Sequence, residues 1–159
     1  ELIEWLPKNI PSDQETSIVH GDFRLDNMIF DPTTHEVKAI LDWELSTLGN
    51  PIADFTYHMM SWRLPAGAKG LGMMGSDLKS LNIPSESEYA ELYYKKTGRE
   101  KIDNWDFYMA YNIFRLAGIA QGIVGRVRDG TASSSEAKNY EAFVPILGKL
   151  GWSIVEGIK

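Results

Sequence analysis

A chain of 159 residues with 43% apolar and 24% charged content, including five tryptophans, has the size and make-up of one globular domain with a real core. Sixteen basic against twenty-two acidic side chains leave a net charge of -6, which removes the electrostatic footprint of a nucleic-acid binder and makes any phosphate site dependent on metal. The absence of cysteine excludes a disulfide framework, a thiolate zinc site and a Cys nucleophile, and fits a reducing compartment, the cytoplasm or an organelle lumen; no apolar run reaches the roughly 18 residues of a membrane span.

The chain starts on Glu1-Leu2-Ile3-Glu4-Trp5-Leu6, which reads as the last turns of a helix; its acids and missing basic n-region rule out a signal peptide. Pro7 and Pro11 punctuate a connector, and the polar loop Ser12-Asp13-Gln14-Glu15-Thr16 leads to a first strand at Ser17-Ile18-Val19. Two polar clusters follow, His20-Gly21-Asp22-Phe23-Arg24-Leu25-Asp26-Asn27 and Asp42-Trp43-Glu44, each bordering apolar runs. Between them Met28-Ile29-Phe30 and Val37-Lys38-Ala39-Ile40-Leu41 flank the turn signal Asp31-Pro32-Thr33-Thr34, so an antiparallel hairpin should fold Asp42 back beside Asn27. Two carboxylates and an amide in one place suit Mg²⁺, which takes oxygen ligands and shares them with substrate phosphates; with Asn27 and Asp42 as ligands, Asp22 is left to accept a proton from an attacking hydroxyl.

Gly49-Asn50-Pro51 predicts a helix start, capped by Asn50, that runs through Ile52, Phe55, Tyr57, Met59 and Trp62, with Asp54 in its first turn complementing the dipole. Leu64 to Asn82 should be an irregular loop. Its Gly70-Leu71-Gly72-Met73-Met74-Gly75 spells a dinucleotide fingerprint but lacks the strand before and the helix after that such a site requires. Ser85-Glu86-Ser87-Glu88 is a capping box opening a helix that stops at Thr97-Gly98. The longest helix is expected from Trp105 to Val127, apolar nearly all round and therefore buried, with Gly118, Gly122 and Gly125 permitting close helix contact. Arg115 and Gln121 need partners there, an internal salt bridge or, for Arg115, an anionic substrate. Ser133-Ser134-Ser135-Glu136 reads as a further helix start, for a segment that Pro145 and Gly148 should interrupt.

The spacing Asp22 to Asn27 to Asp42 resembles the catalytic loop of eukaryotic-type kinases, and the wording His20-Gly21-Asp22 with Asp42-Trp43-Glu44 resembles the aminoglycoside phosphotransferase and choline kinase branch. Within it, Gly49 to Asp54, Thr97-Gly98-Arg99 and Phe114-Arg115-Leu116-Ala117 are similar to the subgroup that includes the kinase-like domain of some acyl-CoA dehydrogenase family proteins. The resemblance covers essentially the whole chain and implies an α+β fold, the mainly helical C-terminal lobe of a protein-kinase-like fold with a short β-hairpin carrying the catalytic loop. It implies ATP as co-substrate with Mg²⁺, Asp22 as base, Asn27 and Asp42 as metal ligands, Arg24 reaching the transferred phosphoryl group, His20 and Asp54 bracing the loop, and Glu44 with Arg115 on the substrate side. The implied partners are a small-molecule hydroxyl acceptor (hydroxy-acid, hydroxyacyl-CoA or aminoglycoside-like) and, in a longer protein, an N-terminal nucleotide-binding lobe and a fused acyl-CoA dehydrogenase domain. The glycine-rich loop, strand Lys and helical Glu of that lobe are not found in these 159 residues. Two other functions remain open at this point: a non-catalytic docking module on the same scaffold, and a metal-dependent phosphoester hydrolase using His20, Asp22 and Asp42.

Overall fold

The structure, a computed structural model, describes residues 1–12, 15–66, 72–132, 137 and 139–158. Its contacts divide the chain into two compact units, one of residues 15–105 and one of residues 1–14 with 106–159. Among the described residues there are five α-helices and two two-stranded antiparallel ladders, an α+β arrangement in which helix predominates.

Residues 15–105 hold both ladders. The expected hairpin forms from β2 (Met28–Phe30) and β3 (Val37–Ile40), with Met28 opposite Ile40 and Ile29 opposite Ala39. Its turn is built by Asp31, whose Oδ1 accepts from the backbone N–H groups of Thr33 and Thr34 at 2.9 Å each. The first strand, β1 (Ser17–Val19), takes a partner not foreseen from sequence: β4 (Thr47–Gly49), in the register Ser17 to Gly49, Ile18 to Leu48 and Val19 to Thr47. A Cβ on Gly49 would stand 3.2 Å from the Val19 side chain, so this contact favours glycine.

Helix α2 (Pro51–Met59) begins as expected, with Asn50 Oδ1 accepting from Ile52 N at 2.8 Å and Pro51 in the first turn, and a 3-10 turn carries it to Trp62. Helix α3 (Glu86–Thr97) has both halves of its capping box and ends on Gly98 at φ 68°. The two helices meet through aromatic rings, Phe55 stacking on Tyr93 at 3.8 Å, and Phe55 also meets Trp105, beyond α3, edge-on at 5.8 Å. Arg63 grips Glu86 with two nitrogens, Nε to Oε2 at 2.9 Å and the second to Oε1 at 2.6 Å, while Trp105 Nε1 donates to the same Oε1 at 2.8 Å. From Leu64 to Asn82 the described chain is irregular. Gly70 and Leu71 lie outside the described residues, whereas Gly72 runs so close to the backbone that an added Cβ would meet the Pro65 carbonyl oxygen at 2.0 Å. Turns, not a helix, follow Gly75, so the context of a dinucleotide site is absent from the described residues.

The other unit is helical: α1 (Leu2–Trp5), α4 (Trp105–Arg128, all but its first residue) and α5 (Tyr140–Ile158). Leu2, Leu6, Ala110 and Val155 form its buried cluster, with Phe107, Phe114 and Trp152 packed round it. Two expectations fail here. Helix α4 is not buried all round, because Tyr111, Gly118, Ile119 and Gly122 face outward, and a Cβ on Gly118, Gly122 or Gly125 would meet nothing within 4 Å among the described residues. Those glycines therefore do not mark close helix contacts. Nor does Pro145 interrupt α5, which is continuous through it and through Gly148. The ring removes a hydrogen bond to the Glu141 carbonyl, at a cost of about 3 kcal/mol. Phe143, Leu147, Gly151 and Val155 are all buried at four-residue spacing, and two or three such side chains offset that cost. The expected helix start at Ser133 to Glu136 lies outside the described residues.

Candidate active site

The loop from His20 to Asn27 is held from beneath by the first turn of α2. The Asp54 carboxylate accepts from two consecutive backbone N–H groups, His20 N to Oδ2 at 2.7 Å and Gly21 N to Oδ1 at 2.9 Å. Since Asn50 and Pro51 fix where α2 starts, the cap of one helix sets the height of the loop. Gly21 sits at φ 82°, and a Cβ there would come within 2.6 Å of the Leu45 carbonyl oxygen, so both conformation and space demand glycine.

His20 is 2% exposed and bridges the loop to the end of β3. Its Nδ1 accepts from Asp22 N at 3.2 Å, which leaves the proton on Nε2 to donate to the Leu41 carbonyl at 2.8 Å. The ring lies 4.7 Å from that of Trp43, whose own Nε1 donates to the Ile40 carbonyl at 2.8 Å. With both nitrogens given to backbone groups, His20 is neither a metal ligand nor a nucleophile in this arrangement, which argues against the hydrolase reading.

Asn27 Nδ2 donates to the Asp22 carbonyl at 2.9 Å and to Asp22 Oδ2 at 3.0 Å, closing the loop across its mouth. Its backbone carbonyl accepts from Leu41 N at 2.8 Å, which places Asp42 one residue from the Asn27 pairing, as the hairpin geometry predicts. Asp42 is left-handed at φ 63°, ψ 54°, a conformation Asp tolerates better than most side chains, and it precedes the 3-10 turn Trp43–Leu45 without a side-chain capping bond. Its carboxylate is exposed, and so is Glu44. No three His, Cys, Asp or Glu side chains converge on a metal position among the described residues. The donor set is one carboxylate and the amide oxygen that Asn27 keeps free of Asp22, hard ligands that fit Mg²⁺ completed by water and substrate phosphate.

Arg24 is turned to Asp26: its Nε donates to Asp26 Oδ2 at 2.9 Å and a second nitrogen bonds the same oxygen. Partial burial works against the charge, but Asp26, reinforced by Asp22, outweighs it and holds the guanidinium above its ordinary value. Both residues line a cavity of about 350 Å³ whose other walls include Tyr57, His58, Trp62 and Tyr89. Sequence reasoning missed this cavity, since its walls come from separate elements and no local pattern joins them. Arg115 lies half-buried on α4, in the other unit.

His58 is buried among rings, 5.7 Å from Phe23, 6.0 Å from Trp62 and 5.6 Å from Tyr89, and burial pushes its imidazole below the ordinary 6.5. The folded state then binds fewer protons than the unfolded state just below pH 6.5. The stability present above that pH is lost as pH falls toward the folded value. Urea unfolding at pH 7.5 and 5.5 should show a larger loss for the wild type than for His58→Phe; equal losses would remove His58 as the cause.

The sequence profile of the phosphotransferase enzyme family matches residues 1–92. The chain belongs to that family. A protein of Ralstonia eutropha assigned as an aminoglycoside phosphotransferase superposes with a TM-score of 0.92 and 48% identity, over 98% of this chain and 48% of its own. Acyl-CoA dehydrogenase family member 10 of Mus musculus is 46% identical over 95% of this chain, and member 11 of Homo sapiens is 39% identical over the same share. The chain spans about half the length of that solved structure and only 14% and 20% of those two curated relatives. The fold of this family member is thus the kinase-like one that the loop motif led us to expect. No helix among the described residues is long and apolar enough to cross a membrane.

Proposed function

We propose that the full-length protein is an ATP- and Mg²⁺-dependent phosphotransferase acting on a hydroxyl of a small molecule, and that this chain is its C-terminal lobe, carrying the catalytic loop and the acceptor side. The observation that carries the reading is the bond from Asn27 Nδ2 to Asp22 Oδ2, with Asn27 in turn tied to the residue before Asp42. One oxygen of Asp22 is spent on Asn27 and the other is left for an incoming hydroxyl.

In this reading Asp22 orients the acceptor O–H and takes its proton as the new O–P bond forms and the bond from the γ-phosphorus to the bridging oxygen of ADP breaks. Asn27 and Asp42 would hold Mg²⁺, which when bound would supply charge neutralisation at the nucleotide phosphates. His20 and Asp54 keep the loop at its working height. We assign Arg24, two residues after Asp22 and held by Asp26 through two of its nitrogens, to the transferred phosphoryl group. A nucleotide-binding lobe elsewhere in the full-length protein would cover the adenine, and the two relatives named above make a fused acyl-CoA dehydrogenase domain the natural companion.

The test is transfer of label from γ-labelled ATP by the full-length protein. Asp42→Ala is expected to lower turnover by roughly 10²–10³, the scale for losing one charge-stabilising group, and to raise the Mg²⁺ needed for half-maximal rate. Transfer that ignores Asp42→Ala and Mg²⁺ alike would refute the assignment.

A further inference from the structure

The cavity beside the loop says what kind of alcohol fits. We infer, resting on the phosphotransferase reading, that the acceptor carries an uncharged, apolar body seated in this cavity, and that a polycationic aminosugar is not its substrate. Much of the wall is apolar or aromatic: Tyr57, Met60, Trp62, Met73, Ile83 and Tyr89. Trp62 stacks on Tyr89 at 5.1 Å and 27°, and its Nε1 is already given to the Pro84 carbonyl at 2.9 Å, so the indole offers a face and not a donor. Among the described lining residues Asp26 is the only carboxylate, and its Oδ2 is bound by Arg24. That pair is neutral as a unit. Burial holds the one imidazole in the wall, His58, toward its neutral form.

An aminoglycoside brings several ammonium groups, each needing an oxygen partner once water is displaced. The described lining offers one acid, already shared with Arg24, so several ammonium groups would outnumber the charged acceptors available to them. An aliphatic or aromatic alcohol can be met by the rings alone, and Arg24 in the cavity wall stands two residues along the loop from Asp22. Volume agrees: about 350 Å³ holds a body of modest size, at the lower end of small-molecule sites.

The experiment follows the indole N–H of Trp62 in chain labelled with ¹⁵N at tryptophan, assigned by its disappearance in Trp62→Phe. Titration with 2-phenylethanol should shift that resonance saturably, while kanamycin at matched millimolar concentration should leave it in place. Ile83→Asp, which sets a carboxylate in the apolar wall, should abolish the response to 2-phenylethanol. A Trp62 shift caused by kanamycin, a flat response to 2-phenylethanol, or a response unaffected by Ile83→Asp would each overturn the inference. Because the readout is binding without nucleotide, it stands apart from the labelled-phosphate assay. Failure there would sink the phosphotransferase reading and leave the specificity of the cavity measured.

Discussion

Replacing Asp22 by Ala in the full-length protein is expected to slow phosphoryl transfer by roughly 10²–10⁴, the contribution of a positioned general base, or about 3–5 kcal/mol of barrier. Two of the bonds around Asp22 belong to its backbone, N–H to His20 Nδ1 and C=O from Asn27 Nδ2, and survive the change. What is lost is the carboxylate, with its 3.0 Å bond from Asn27. That bond raises a second explanation, in which Asp22 matters only because it aims Asn27. Asp22→Asn separates the two: its amide oxygen can still accept from Asn27, but it takes no proton. A rate for Asp22→Asn as low as for Asp22→Ala identifies the base; a rate near wild type makes Asp22 a positioning residue and refutes the base assignment.

Asp54→Ala should have the largest effect on the fold. It strips the acceptor from two neighbouring amides, one of them on a residue 2% exposed, and each unsatisfied donor costs about 1–3 kcal/mol. A combined loss of about 2–6 kcal/mol is comparable with the whole stability of a small domain. Asp54→Asn keeps one oxygen and turns an NH₂ toward an N–H, so it should be intermediate. Thermal unfolding of the chain with each variant measures this, and an Asp54→Ala protein as stable as wild type would mean that water or a shifted loop replaces the carboxylate.

The local parts of this site were legible because their determinants lie close together in the chain. Asp22, Asn27 and Asp42 are separated by a loop and one hairpin, and Asp31-Pro32 announces the turn. Asn50-Pro51 and the capping box at Ser85 likewise name their own helices. What sequence did not disclose depends on distant partners. Thr47-Leu48-Gly49 is too short to signal a strand, and becomes one only against Ser17 to Val19. The outward face of α4 was hidden because Tyr111 and Ile119 are apolar yet 39% and 45% exposed, so its apolar pattern overstated its burial. At Pro145 local propensity argued for a break, but the buried row from Phe143 to Val155 outweighs it. The kinase-like fold was readable from the resemblance; the cavity walls were not, since Tyr57, Trp62, Met73, Ile83 and Tyr89 meet only after folding.

The pairing of β1 with β4 has a bearing on how the site comes and goes. Ser17 to Val19 and Thr47 to Gly49 are the two ends of a closed circuit, and every residue from His20 to Leu45 discussed above lies inside it. Closing a circuit of that length has an entropic cost, offset by three residue pairs together with the Asp54 bonds to His20 and Gly21, whereas the hairpin inside it closes a shorter loop of its own. Amide protons at the two ends of the circuit are therefore expected to exchange together, while the hairpin, held by its own local bonds, can outlast them. The outer side chains of that ladder, Ile18 at 73% and Leu48 at 71% exposed, add little burial to hold it shut within this chain.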